Sequence, residues 1–411
     1  MRRLLDLFQS GRTVYVPGAT GELLALAQAL QAEPDRMRNV HLVSCLLPGV
    51  NGIDYGALDP AGRVTVFLLP SALRSSFEDG RTRVLPLAYS AIALYLETQL
   101  PIDVVVAHVA PPDAEGFASF GVASDFTPLV WPQAQKRVAI VNHAMPAMRR
   151  GPRLSLKEAD LVIELDHPIV EVAPERPDPL ADRIAGHGAR LVPDGAVIQI
   201  GLGGVPGAVW RQLAQHRDLT VASGMVGPGF AGLVESGALR AGGRHQTGVA
   251  LGDMPLYRFL ADEDPIAFAT VRETHDVDRL ARIDGFIAIN SALEVDLFGQ
   301  CNLEFQGSRL LSGVGGAPDF ARGALRSRSG RSIVALPATA KDGRISRIVP
   351  RLAGPCVSLG RTETDTIVTE HGIAELRDRS IAERAEALMA IAAPEWREQL
   401  AAAWAQVKGS L

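Results

Sequence analysis

Short runs of Val, Ile and Leu, each followed by a longer stretch with helical spacing, recur along the whole chain and constrain its fold more than any other feature. In the first half these runs are Thr13 to Val16, His41 to Ser44, Val64 to Leu68, Val104 to His108, Arg137 to Val141 and Leu161 to Glu164. An apolar run without polar alternation belongs to a strand covered on both faces, as in a parallel sheet flanked by helices. Between the runs, Leu23 to Gln31 is rich in Ala and Leu, and Leu87 to Leu96 follows Pro86 with apolar residues at helical spacing. The pattern predicts an α/β protein with mostly parallel sheets.

Pro168 to Pro179 breaks the alternation with prolines and charges, which marks a domain boundary. Two domains are expected, residues 1–179 and 180–411, and the length is sufficient for two ordinary cores. The second half repeats the alternation, with strands expected at Ala196 to Ile200, Leu219 to Ala222, Gly285 to Asn290, Ser332 to Leu336, Cys356 to Ser358 and Thr366 to Thr369. Its tail, Ser380 to Val407, reads as two helices meeting at Pro394.

A net charge of −5 argues against nucleic acid or an anionic membrane as the main partner, since both call for a basic surface. The apolar start Met1 to Phe8 is too short for a signal sequence or a membrane span, so a cytoplasmic protein is expected. Cys45, Cys301 and Cys356 are odd in number and lack metal-ligand spacing; they read as reduced core residues, with neither metal nor disulfide framework.

Both halves open with a strand, a glycine-bearing turn and a helix: Val16 to Glu22, and Ile200 to Pro206 containing Gly201, Gly203 and Gly204. Such a turn lets backbone N–H groups approach an anion at a helix N-terminus, and it also serves as a tight connection with no ligand. The loop Gly313-Val-Gly-Gly, with Gly315 and Gly316, concentrates glycine at an entropic cost that suits close approach of something to the backbone, such as a thioester oxygen gaining negative charge. Lys341, Arg344 and Arg347 gather cations after a strand, as a phosphate-binding loop or a solvated basic one.

The glycine turn at Gly201 resembles the acetyl-CoA hydrolase/transferase family of coenzyme A transferases, together with four later stretches: Leu219 to Gly237, Ala288 to Gln300, Ser312 to Gly323 and Leu336 to Pro350. The resemblance implies two similar α/β domains with the active site between them, and a homo-oligomer. It further implies that acyl-CoA and a small carboxylic acid are the substrates, with coenzyme A itself a substrate and no separate cofactor. The cofactor-contacting positions it implies are Gly201, Gly203, Gly204, Gly313, Gly315, Gly316 and Lys341.

In that family the strand after the glycine turn delivers a nucleophilic glutamate in a His-Ser-Glu-Met-like stretch. The matching stretch here is Ala222-Ser223-Gly224-Met225, so glycine stands where the carboxylate is expected. Covalent carboxylate catalysis needs a real Asp or Glu in a dry site with donors around it. Glu22, at a helix N-terminus after the first glycine turn, and Glu78, in an acidic pair before Gly80, are the candidate substitutes; each also reads as an ordinary structural glutamate. Three functions follow: CoA transfer through a displaced carboxylate, thioester hydrolysis, or CoA binding without catalysis. Phe8, Phe77, Phe126 and Trp131 either line an acyl pocket or fill the core.

Overall fold

A computed structural model of the chain describes residues 1–174 and 176–409. Seven strands build the first sheet: β1 Thr13–Tyr15, β2 His41–Val43, β3 Arg63–Val66, β4 Thr82–Val84, β5 Val104–Val109, β6 Lys136–Asn142 and β7 Leu161–Leu165. Their order is β4-β3-β2-β1-β5-β6-β7, and every pairing is parallel. All six residues of β5 are buried, which explains why it is apolar except for His108: helices cover both faces of the sheet.

The second sheet contains β8 Val197–Ile200, β9 Thr220–Val221, β10 Phe286–Asn290, β11 Arg331–Ala335, β12 Thr366–Thr369 and β13 Gly372–Glu375. Its order is β9-β8-β10-β11-β12-β13, parallel except for the antiparallel hairpin of β12 with β13. The expected strand at Cys356 to Ser358 does not form; Leu359 makes one isolated bridge to Cys301 instead. The edge strands β4 and β13 are additions that the sequence pattern did not single out. Both are short and half-exposed, so neither carries the continuous apolar signature of a central strand.

Helices follow the same logic. The helix α1, Leu24–Ala32, buries Leu26, Ala27 and Leu30, and each leucine contributes about 1.5–3 kcal/mol by leaving water. In the tail, Ile381–Ala390 and Pro394–Lys408 are separate helices, with Pro394 at the first turn of the second, where its missing N–H costs nothing.

Each sheet has one point at which the strand order reverses direction, between β1 and β5 in the first and between β8 and β10 in the second. At such a point neighbouring connections leave on opposite faces and open a crevice outside the carboxyl ends. The two glycine turns, Pro17 to Gly21 after β1 and Gly201 to Gly203 after β8, lie at these two crevices.

The two sheets are joined through their carboxyl-end loops. Thr20 Oγ1 donates to Ala250 O at 2.8 Å, Ala123 bridges Val249, and Ser124 N–H donates to Gly248 O at 2.8 Å. The helix α2, Tyr89–Thr98, meets the helix α6, Ala317–Arg326, where the buried Asp319 carboxylate accepts from Ser90 Oγ at 2.6 Å and Ser90 N at 2.9 Å. Removing the acceptor strands both donors, at about 1–3 kcal/mol. Asp319→Ala should therefore lower the thermal midpoint by several degrees in a calorimetric scan, and Ser90→Ala by less; an unchanged midpoint for Asp319→Ala contradicts the clamp.

Candidate active site

A cleft of about 620 Å³ opens at the second sheet's crevice. Gly201, Leu202 and Gly203 form one side, Met225 to Gly229 another, and Pro48 to Val50 of the first lobe a third. Gly203 has φ +109, a conformation that a side chain rarely adopts, and the helix Gly204–Gln212 starts directly after it. Among the described lining residues only Arg211 carries charge, and it is paired with Asp182 at 2.7 Å. Leu202 at the rim is 47% exposed. An apolar cleft of this size accommodates a slender, mostly uncharged arm rather than a phosphate group.

Glu22 lies behind the first-lobe wall of that cleft. It is 2% exposed, with Oε1 accepting from Tyr55 Oη and Oε2 from Asn51 Nδ2, both at 2.8 Å. Asn51 follows Val50 in the wall and also donates to Ala19 O. His108 Nδ1 lies 3.1 Å from Gly21 O and fixes the turn from the other side. Burial pushes the Glu22 pKa up, while the Asn51 and Tyr55 donors hold it down because they stabilise the anion. Glu78, by contrast, is exposed at the end of the short helix Arg74–Glu78, has no hydrogen-bond or ion-pair partner among the described residues and does not line the cleft.

Gly224 sits one residue before the cleft-lining Met225, and the space above it is filled. An ideal Cβ built there falls 2.6 Å from His275 Cε1 and 2.9 Å from His275 Nε2. The same imidazole covers Gly316: a Cβ there falls 2.6 Å from His275 Cδ2 and closer still to Nε2. The ring stacks obliquely against Phe320 at 4.5 Å and Tyr89 at 4.9 Å between centroids. His275 is 2% exposed, and burial drives its pKa down to about 3. It ends the short helix Val271–Thr274, whose first N–H donates to Asp125 O at 3.0 Å.

The Gly313 loop adjoins this node. Gly313 packs on the backbone of Phe67, Gly315 has φ +62 and its carbonyl accepts from Tyr89 N–H at 3.3 Å. Beneath lies a buried polar group of Tyr15, Cys45, Tyr89 and Asp125. Burial raises the Asp125 carboxyl to about 6, against the lowering effect of the Phe126 N–H at 2.8 Å.

The glycine positions therefore fall into two adjoining groups, Gly201 and Gly203 at the cleft and Gly313 to Gly316 at the imidazole, with Gly204 in the helix that begins at the cleft. Lys341 joins neither: it is exposed, at φ +51, in the turn of the hairpin formed by Thr339–Ala340 and Ile345–Ser346. Phe8, Phe126 and Trp131 are core residues, and Phe77 packs beside the first core. His275 and Asp125 carry no local sequence signal that marks them; the bulk of a histidine beside two distant glycines exists only in three dimensions.

Comparison with known proteins agrees with this arrangement. The sequence profile of the acetyl-CoA hydrolase/transferase N-terminal domain matches residues 2–174, and that of the C-terminal domain matches residues 252–404. The 4-hydroxybutyrate coenzyme A transferase of Clostridium kluyveri is 32% identical over 390 residues, covering 93% of this chain and 91% of the relative. The butyryl-CoA:acetate CoA-transferase of Anaerostipes caccae is 33% identical, covering 80% and 77%. RipA from Yersinia pestis superposes with a TM-score of 0.89 at 29% identity, over 97% of this chain and 94% of that one. The 4-hydroxybutyrate CoA-transferase of Porphyromonas gingivalis gives 0.82 at 29%, over 100% and 96%. The chain belongs to the acetyl-CoA hydrolase/transferase family.

Gly224 and His275 are mutually dependent. Gly224→Glu forces a side chain into the imidazole and should cost about 1–3 kcal/mol. The double variant Gly224→Glu with His275→Ala should recover most of that loss in urea unfolding. Equal stability of Gly224→Glu and the parent protein contradicts this packing.

Proposed function

We propose that the chain exchanges coenzyme A between an acyl-CoA thioester and a small carboxylic acid, with the acyl-pantetheine arm in the 620 Å³ cleft and Glu22 as the attacking carboxylate. One observation carries the reading: Glu22 is a dry, donor-flanked carboxylate at the first sheet's crevice, and Asn51 connects it to the cleft wall. The relatives' activities, CoA transfer from butyryl-CoA to acetate among them, supply the substrate class.

In this mechanism a Glu22 oxygen attacks the thioester carbon, the C–S bond breaks, and the CoA thiolate leaves a mixed anhydride. The thiolate then attacks the glutamyl carbonyl, releasing the first acid and forming a glutamyl-CoA thioester. A second carboxylate reverses both steps and departs as the new acyl-CoA, so no proton is gained or lost overall. The Asn51 and Tyr55 donors favour the reactive anion of Glu22 against the opposing effect of burial, and their release from it accompanies attack. Glu78, solvated and without partners, has no part in the scheme.

Glu22→Gln should reduce CoA transfer from butyryl-CoA to acetate by at least about 100-fold while butyryl-CoA still binds in calorimetry. Borohydride added during turnover should reduce Glu22 to the alcohol, read as a mass change on its peptide. An active enzyme whose Glu22 stays unmodified and whose Gln variant transfers normally excludes the mechanism.

A further inference from the structure

We propose that Gly207 and Gly232 set the acyl specificity of the cleft, and that they open it to an apolar, uncharged acyl group larger than butyryl. The inference rests on the reading that the cleft receives an acyl-CoA, and it names the acyl group, which that reading leaves open.

Two helices line the cleft, Gly204–Gln212 and Pro228–Glu235, and glycines on them serve two different ends. Gly229 is fixed by packing: a Cβ there falls 2.3 Å from Trp210 Cβ, so a side chain would push the helices apart. Gly207 and Gly232 answer to no such constraint. A Cβ at either position meets no heavy atom within 4 Å outside its own stretch of helix, and neither residue has a positive φ. Both lie inside a helix, with Gly207 N–H donating to Gly203 O at 2.8 Å and Gly232 O accepting from Ser236 N–H at 3.0 Å. Glycine in a helix interior destabilises the fold relative to alanine, because the unfolded chain has more freedom to lose. Two glycines that neither the backbone nor any neighbour requires, both facing one cleft, serve the cleft: they keep side chains out of space that a ligand occupies.

The chemistry of that space selects the ligand. The helical hydrogen bonds engage the peptide groups of Gly207 and Gly232, so the surface they offer is hydrocarbon in character. Trp210, Ala214, Met225 and Val226 continue it, and the one charged lining residue, Arg211, is held by Asp182 at 2.7 Å. An amide, a hydroxyl or a second carboxylate seated there loses its water without gaining a partner from these residues. An apolar chain needs no partner, and each methylene that it buries strengthens binding about fourfold.

The test uses the full-length protein, with octanoyl-CoA and butyryl-CoA as probes in calorimetry and as donors to acetate. Octanoyl-CoA should bind at least about 10-fold more tightly than butyryl-CoA and keep that advantage in kcat/KM. Gly207→Ala and Gly232→Ala should raise the thermal midpoint, as clash-free replacements in a helix, while the octanoyl-to-butyryl affinity ratio falls at least about threefold. In Gly232→Leu the ratio should fall at least about 10-fold as the side chain fills the cleft. Gly186→Ala is the control: it lies in the helix Pro179–Ala189, its Cβ also meets nothing within 4 Å, and it does not line the cleft, so the midpoint should rise with the ratio unchanged. Equal affinity of the parent for the two probes overturns the inference, and so does a ratio that does not fall in Gly232→Leu; either outcome leaves the cleft reading intact. A parent protein that binds neither probe overturns both.

Discussion

The carboxyl ends of two parallel sheets are pressed together by close backbone approaches, and the rest of the molecule is arranged around that constraint. Gly313 lies on the backbone of Phe67, Ser124 N–H donates to Gly248 O at 2.8 Å, and Thr20 reaches Ala250. At Gly313 the approach is so close that a residue without Cβ is required on that side. The buried Ser90–Asp319 contact locks the two helices that flank the junction.

That junction creates two environments a few residues apart. On the side of Met225 an apolar cleft remains open to solvent, whereas on the side of Gly224 an imidazole closes the space entirely. A glutamate at 224 and a histidine at 275 compete for one volume, because Cβ alone falls within 2.6 Å of the ring. Glu22, elsewhere in the first lobe, is a dry carboxylate flanked by the Asn51 and Tyr55 donors.

Much of the architecture was legible from periodicity. Central strands such as β5 and β6 announce themselves because burial on both faces leaves a largely apolar run, and the split of the tail at Pro394 follows from proline's missing donor. The edge strands β4 and β13 were missed because half-exposure leaves them no continuous apolar run, and Cys356 to Ser358 misled because a short apolar run does not distinguish a strand from a half-buried loop. Of the site, the glycine turns were visible as local signals. Lys341 was placed by the resemblance, and a cation in a hairpin turn carries no local signal of which way it faces.

The sequence by itself determined the fold class, the family and the missing side chain at Gly224, because all three are written in residue order and local pattern. Only the tertiary structure decided what occupies its place and which acidic group is dry. Occupancy of a volume and exclusion of water depend on atoms brought together from Gly224, His275 and Gly316, separated by tens of residues. No periodicity or motif carries that distance information, since it arises when the sheets pack.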